Sequence, residues 1–239
     1  MSHSQNRLLA SLPRAVFGAI KPDLRLVELN HGDVLAETGR PIRRVYFPHS
    51  GIISLVVELS VGDMIETATV GRDGAIGAAS ALDGRISLNR SIVQLGGVVS
   101  VIGVERLRAL TEANKLIRSI IIRHEQVIFA QAQQSAACNA SHTAEARMCR
   151  RLLRMRDLAG KRFQVTQQFL GQMMGVQRST VSLAANTLRQ AGLIRYRRGN
   201  IEILDVEGLR EASCECYASV AAHYRKLWKA KLVFGRGFK

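Results

Sequence analysis

The 239-residue chain contains only four cysteines, and none precedes position 138. Four cysteines confined to the last part of a chain do not form the disulfide framework of a small secreted protein. Apolar runs such as Ile52–Val57 and Gly97–Val104 fall far short of the roughly 20 residues of a membrane span. The first residues, MSHSQNRLLASLPR, lack the apolar run of a signal peptide. We therefore expect a cytoplasmic protein with no membrane partner.

Catalytic and metal-binding motifs are also lacking. The chain has no GxSxG, P-loop, HExxH or CxxC motif, and its carboxylates are scattered near turns. Cys214 and Cys216 lie two residues apart on a predicted helix, so their side chains should point to nearly opposite faces. This spacing predicts that they neither pair nor share a metal. We expect no enzyme activity, no cofactor and no metal.

A thiol sensor or a haem ligand is the alternative that the remaining cysteines and histidines leave open. Cys138 or Cys149 could serve as a lone thiol sensor, but small buried cysteines usually act as filler. His31, His49 and His124 are candidate haem ligands, and their spacing singles out none of them.

Positive charge is abundant and unevenly distributed. Lys and Arg number 34 against 19 Asp and Glu, a net charge of +15. From Cys138 onward the chain carries 19 basic and 7 acidic residues, whereas the first 137 residues have a net charge of only +3. This asymmetry indicates that the second half meets a polyanion such as nucleic acid.

Short alternating apolar segments fill residues 24–104, and glycines separate them about every ten residues. This spacing predicts an antiparallel sandwich or barrel over a domain of residues 1–104. The predicted strands are LRLVEL, RRVYF, GIISLVVEL, DMIETATV, RSIVQL and GVVSVIGV.

The apolar period then changes to that of a helix. Residues 105–137 contain neither Pro nor Gly, and their apolar residues recur three, four or seven positions apart. The predicted apolar stripe consists of Leu110, Ile117, Ile120, Ile121, His124, Val127 and Ile128. We expect this helix to pair with its own copy and to form a homodimer. His124 is expected to be a satisfied residue of this stripe and not a ligand.

Residues 138–222 predict a second domain with a helix-turn-helix. A helix capped by Ser141 or Thr143 should stop at Gly160. Two short helices, 167–174 and 178–190, should follow, with Thr166 as the first cap and Gly175 as the turn. The stretch IRYRRGNIEIL then predicts a two-stranded ribbon that turns at Gly199–Asn200. A helix-turn-helix followed by a charged hairpin is a winged helix.

The exposed face of the second short helix carries the side chains that a DNA major groove requires. Arg178 can bind guanine through two hydrogen bonds, and Gln177 and Ser179 can reach base edges. Further polar and basic side chains on the helix-turn-helix and the wing can bind the phosphates of the DNA backbone. The predicted phosphate and wing contacts are Thr166, Thr180, Ser182, Asn186, Arg195, Arg197 and Arg198.

The segment TQQFLGQMMGVQRSTVSLAANTLRQAGLI resembles the helix-turn-helix signature of the Crp/Fnr superfamily of bacterial transcription regulators. The resemblance covers about residues 20–222, and GLREASCECY is similar to one subgroup. It implies an α+β fold with an N-terminal antiparallel β-roll sensor domain, a long dimerisation helix and a winged helix-turn-helix domain. It also implies double-stranded DNA and RNA polymerase as partners. Leu183 departs from the pattern, because catabolite activator protein has a base-contacting arginine there.

The ligand-binding part of this resemblance is incomplete. The family's cyclic-nucleotide cassette has a Gly-Glu pair followed about ten residues later by Arg-Ser or Arg-Thr. Here Ala78 follows Gly77, so the glutamate is missing, and Arg90 and Ser91 come about two residues late. Arg90 and Ser91 are therefore weak ligand candidates, and a different ligand or none is expected.

Two other functions remain open at the sequence level. One is a ligand-binding module that acts on a protein partner, and the other is a nonspecific DNA binder. The polar face of the second short helix argues against the nonspecific binder. The basic tail at 223–239 could add phosphate contacts or form a disordered end.

Overall fold

The computed structural model describes residues 3–60, 62–83 and 86–229, with side chains up to residue 226. Within these ranges no helix is long and apolar enough to cross a membrane. The strands are β1 (Arg25–Leu29), β2 (Val34–Ala36), β3 (Arg44–Pro48), β4 (Ile52–Glu58), β5 (Met64–Val70), β6 (Arg90–Leu95), β7 (Gly97–Gly103), β8 (Arg162–Gln164), β9 (Ile194–Arg197) and β10 (Asn200–Ile203). The helices are α1 (Arg7–Ala10), α2 (Arg14–Ile20), α3 (Val104–Ala113), α4 (Lys115–Ser141), α5 (Ala144–Ala159), α6 (Gln167–Met174), α7 (Arg178–Gln190), α8 (Val206–Glu211) and α9 (Cys216–Lys229).

The first half of the chain forms two antiparallel sheets. One sheet has the order β2-β6-β4-β5 and the other β1-β7-β3. All six predicted strands are present. The three-residue strand β2 and the helices α1 and α2 were not predicted. The α+β fold class, with a β-roll, a long helix and a helix-turn-helix domain, is confirmed.

The single helix predicted at 105–137 starts within one residue of its predicted position, but it is interrupted at Asn114 and extends beyond residue 137. Asn114 is extended (φ −137°, ψ 105°), and its Oδ1 accepts hydrogen bonds from the backbone N–H groups of Leu116 and Ile117 at 2.9 and 3.4 Å. Asparagine is a preferred helix cap, so α3 ends there and α4 begins. Because α4 continues to Ser141, the boundary drawn at 138 falls inside this helix.

The predicted apolar stripe is not the outward-facing side of α4. Ile117, Ile120 and Ile121 are buried in a core cluster with the N-terminal helices and the β-roll. His124 is fully buried, and its Nε2 accepts a hydrogen bond from the Ala75 N–H at 3.1 Å. His124 is therefore a satisfied core residue, as expected, but most of the stripe faces the protein's own β-roll domain.

The second domain packs on the first through two buried ion pairs that join α5 to β5 and the turn after it. Arg151 binds Glu66 on β5 through two hydrogen bonds of 2.6 and 2.9 Å, and both side chains are less than 10% exposed. Arg154 binds Asp73, in the turn that follows β5, at 2.6 and 3.2 Å. Burial works against the charge of Arg154, but Asp73 raises its pKa above the ordinary value. The two pairs fix α5 against the sensor sheet.

The basic tail predicted at 223–239 begins inside a helix. Helix α9 runs to Lys229, and Tyr224 on this helix is buried beneath the guanidinium of Arg154, 4.6 Å from the ring centroid. Residues 230–239 lie outside the described residues.

We expect Arg151→Ala to lower the free energy of unfolding by about 3–5 kcal/mol, because it leaves the Glu66 carboxylate buried without its partner. Urea unfolding of the full chain measures this change. Arg210→Ala is the matched control, since Arg210 pairs with Glu207 on the surface of α8 and should change stability by about 1 kcal/mol or less. Equal losses in the two variants would contradict the importance of the buried pair.

Candidate nucleic-acid interface

The helix-turn-helix forms as the sequence predicted. Thr166 caps α6, and its hydroxyl oxygen accepts a hydrogen bond from the Phe169 N–H at 3.1 Å. Gly175 ends α6 in the left-handed region (φ +61°), a conformation that costs glycine little. The helix α7 then begins at Arg178, after Gln177 as its cap residue.

Helix α7 has one apolar and one open face. Its buried side chains are Val181, Ala184, Ala185 and Leu188. Small side chains at positions 184 and 185 allow α5 and α6 to approach α7 closely. The exposed face carries Gln177, Arg178, Ser179, Leu183, Asn186 and Arg189.

The predicted DNA-contacting residues on this face differ in solvent exposure and in their hydrogen bonds. Arg178 and Ser179 are exposed, and the Ser179 hydroxyl lies 3.4 Å from Gln177 Oε1. Ser182 is half-buried and donates to Gln167 Oε1 at 2.7 Å, so it joins α7 to α6. Thr180 is also half-buried. The structure therefore leaves Gln177, Arg178 and Ser179 exposed at the start of α7.

The positive end of the α7 dipole lies at the same point. The first N–H groups of a helix have no partner within the helix, and they attract anions. Gln177 makes no side-chain capping hydrogen bond to α7, so these groups stay available. Arg178 adds a full positive charge beside them. This combination suits a phosphate backbone that flanks a groove.

The wing hairpin turns one residue earlier than predicted. Asn200 pairs with Arg197 in the ladder, so the two turn residues are Arg198 and Gly199. Both have positive φ, +50° and +79°, as the favoured two-residue hairpin turn requires. The turn was placed at Gly199–Asn200 because Asn and Gly both tolerate this conformation, but pairing with β8 places Asn200 in the strand.

The three wing arginines differ in charge compensation. Arg195 lies 2.6 Å from Glu202, which also binds Arg162 at 2.7 Å. The hydrogen bond from Arg162 and the charges of both arginines lower the pKa of Glu202 below its ordinary value. Arg197 and Arg198 are exposed and form no ion pair with the described residues. They are the wing cations with uncompensated charge.

The weak ligand candidates in the β-roll are already engaged within the protein. Arg90 Nε lies 3.3 Å from Glu37, and Nη1 lies 3.8 Å from Glu58. Ser91 is buried within β6. Ala78, which stands at the missing glutamate, is fully buried at the start of a short 3-10 turn. A ligand role for Arg90 and Ser91 stays a prediction.

A cavity of about 560 Å³ lies between β5, α4, α5 and α9. Its lining carries more basic than acidic side chains, which makes it complementary to a small anionic molecule. The basic side chains are Arg7, Arg72, Arg150, Arg151, Arg154, Arg156, Lys161 and Arg225. Arg151 and Arg154 are already held by Glu66 and Asp73.

The prediction that Cys214 and Cys216 point apart is contradicted. Cys214 precedes α9, and only Cys216 lies on the helix, so the helical spacing does not apply to the pair. Both thiols lie beside Cys138 and His142 at the end of α4. Cys149 is separate from this group, and burial raises the pKa of its thiol to about 12, which argues against a thiolate sensor there.

Residues 146–212 match the family of Crp-like helix-turn-helix domains. No curated protein sequence matches the chain significantly. FixK2 from Bradyrhizobium japonicum has a similar structure, with a TM-score of 0.70 and 15% identity over 80% of this chain and 98% of that chain.

Two further regulators share the fold. TTHA1359, a transcriptional regulator of the CRP/FNR family from Thermus thermophilus, gives a TM-score of 0.63 with 21% identity, covering 79% of this chain and 98% of that chain. CLP, a c-di-GMP responsive global regulator from Xanthomonas campestris, has a TM-score of 0.62 and 14% identity. The match covers 81% of this chain and 100% of the CLP chain. The chain therefore has the fold of a β-roll followed by a winged helix-turn-helix. The resemblance to Crp/Fnr transcription regulators predicted from the sequence is confirmed.

The wing arginines generate a prediction about salt dependence. We expect Arg197→Ala to weaken binding to all DNA sequences similarly and to reduce the slope of log affinity against log salt by about 1. Arg195→Ala should have a smaller effect, because Glu202 already offsets that charge. Filter or fluorescence binding at several salt concentrations measures both slopes. A change of sequence preference in Arg197→Ala would instead show that the wing contacts bases.

Proposed function

We propose that the protein is a homodimeric, sequence-specific transcription regulator that acts in the cytoplasm and reads a two-fold symmetric DNA site through α7. The observation that carries the proposal is the exposed polar face at the start of α7, flanked by the unpaired wing arginines 197 and 198. The role requires no catalytic step. Transcription is then changed through contact with RNA polymerase.

Base reading is assigned to the first turn of α7. Arg178 can donate two hydrogen bonds to guanine O6 and N7 in the major groove. Gln177 and Ser179, which contact each other, can reach the neighbouring base edges. Leu183 lies one turn further and is 67% exposed. An apolar side chain at this place suits a thymine methyl group, so Leu183 replaces a polar base contact with an apolar one.

Phosphate contacts are assigned around this centre. Thr166 and Thr180 lie at the starts of α6 and α7, and Asn186 lies further along the exposed face. Arg195, Arg197 and Arg198 would hold the flanking backbone from the wing. Ser182 supports the interface indirectly, because its hydroxyl is occupied by Gln167.

Dimer formation is assigned to the outward face of α4. The exposed residues of α4 from Ile122 onward are all uncharged, although the protein has a net charge of +15. Six of them recur at alternating intervals of four and three, the spacing of a coiled-coil seam. They are Ile122, Gln126, Phe129, Gln133, Ala136 and Ala140. A second copy of the same helix fits this seam, since a two-fold axis places each copy's apolar residues against the other's.

Selection of bound sites from random DNA tests the base-reading assignment. We expect a two-fold symmetric motif with half-sites one helical turn apart, about 34 Å. Arg178→Ala should lower specific affinity by about 1–3 kcal/mol and relax one position in each half-site. Arg210→Ala serves as control, because Arg210 lies on α8 and pairs with Glu207.

Other results of this selection would contradict the proposal in different ways. DNA binding without any enriched motif would indicate a nonspecific binder. Absence of DNA binding would favour a module that acts on a protein partner. A preserved motif in Arg178→Ala would exclude Arg178 as a base contact.

The dimer assignment gives a separate prediction. We expect Phe129→Glu to produce a monomer, because Phe129 is 64% exposed at the centre of the seam and two carboxylates would meet across the axis. Sedimentation velocity measures the mass. Leu183→Glu is the matched control, since Leu183 is equally exposed on a helix outside the seam and should leave the dimer intact. A dimeric Phe129→Glu protein would show that another surface forms the interface.

A further inference from the structure

Three cysteines and one histidine meet where α4 ends and α9 begins. Cys138 and His142 lie one helical turn apart at the end of α4, Cys214 lies in the loop before α9, and Cys216 is the first residue of α9. Their four ligand atoms all lie within 4.8 Å of one another. Cys138, Cys214 and Cys216 are buried, and His142 is half-buried. More than 70 residues of sequence separate the first two from the last two, so only the fold brings them together.

We propose that these four side chains form a mononuclear zinc site of the Cys3His type. Cys138 Sγ lies 3.5 Å from Cys214 Sγ, and Cys216 Sγ lies 3.6 Å from His142 Nδ1. Tetrahedral zinc with Zn–S of about 2.3 Å and Zn–N of about 2.0 Å places its ligand atoms at about these separations. Two or more metal atoms would hold the ligands further apart, so the spacing fits one ion and not an iron–sulfur cluster.

A carboxylate orients the histidine in the manner of known zinc sites. Glu215 Oε1 lies 3.2 Å from His142 Nε2, while Nδ1 faces Cys216. An imidazole that binds metal through one nitrogen usually donates its other N–H to a carboxylate or carbonyl, which fixes the ring and its tautomer. Glu215 is the positioning residue. Its place between Cys214 and Cys216 explains why the three residues occur together in the sequence.

Neighbouring polar groups suit a site with negative charge. Three thiolates around a divalent ion leave a net charge of −1. Gln134 Nε2 donates to Cys216 Sγ at 3.0 Å. Burial raises the pKa of the Cys138 thiol, and the nearby charge of Arg150 opposes that shift. Arg147 is buried, and Arg150 Nε is buried without a hydrogen-bond partner among the described residues. The net charge of −1 would offset part of their positive charge.

The site has an entry path and a structural consequence. Cys216 lines the cavity between β5, α4, α5 and α9, so an ion can approach the group through Cys216. Bound zinc would join the end of the long helix α4 to the start of the C-terminal helix α9. It would thus hold the helix-turn-helix domain on the helix that forms the dimer.

Cobalt titration of the full-length, reduced and chelator-treated protein tests the site. We expect one equivalent of Co²⁺ to give the visible absorption of tetrahedral cobalt with a thiolate charge-transfer band, and one equivalent of Zn²⁺ to displace it. Cys216→Ala and Cys138→Ala should lose the stoichiometric spectrum. Cys149→Ala is the matched control, because Cys149 is equally buried nearby on α5 but outside the group, and it should retain the full signal.

Substitution of Glu215, the positioning residue, tests the site independently of the cysteine variants. Glu215→Gln should weaken Co²⁺ affinity about 10- to 100-fold while leaving the band positions unchanged. Glu211→Gln, an exposed neighbour on α8, should leave the affinity unchanged. Circular dichroism of each metal-free variant establishes that it is folded. A wild-type protein that gives no tetrahedral cobalt spectrum, or that forms a Cys138–Cys214 disulfide in place of metal binding, would overturn the proposal. Equal loss in Cys149→Ala would do so too.

Discussion

The ion pairs Arg151–Glu66 and Arg154–Asp73 determine how the two halves of the molecule meet. Each joins α5, the first helix of the second domain, to the sensor sheet or the turn after it. Removing charges from water is costly, so a buried arginine of this kind needs its carboxylate partner. Thr69 contacts both pairs, through its hydroxyl to Glu66 and its carbonyl to Arg154. The domains are thereby held in one relative orientation by directional contacts, where an apolar interface alone would allow sliding.

The interfaces of the molecule are arranged around α5. Its N-terminus follows His142, at the proposed zinc site, and its apolar side packs on α7 in the core of the winged helix. Its arginine side faces the sensor sheet. Helix α4, directly before it, presents the uncharged seam on one side and the buried stripe on the other. Helix α5 therefore contacts the β-roll, the cysteine group and α7.

Prediction from the sequence succeeded where local chemistry decides the structure. Thr166, Gly175 and the small residues at 184 and 185 specify the helix-turn-helix locally, because capping, positive φ and close packing depend on near neighbours. The apolar stripe predicted on α4 is buried, but it does not pack against a second copy of the helix as predicted. Apolar periodicity predicts that one face of a helix is buried, but it does not identify the surface that covers this face. Here the β-roll covers it. The wing turn was misplaced by one residue because the register depends on pairing with β8.

The sequence by itself therefore determined the order of elements, the charge asymmetry and the polar face of α7, since each follows from residues adjacent along the chain. The tertiary structure decided which acid each buried arginine meets, which side of α4 remains free and which residues surround Cys138. These depend on contacts between segments distant in sequence. Cys214 shows the difference, because a spacing of two from Cys216 predicts opposite directions only if both lie on one helix. The helix begins at Cys216, and that start brings both thiols to the end of α4.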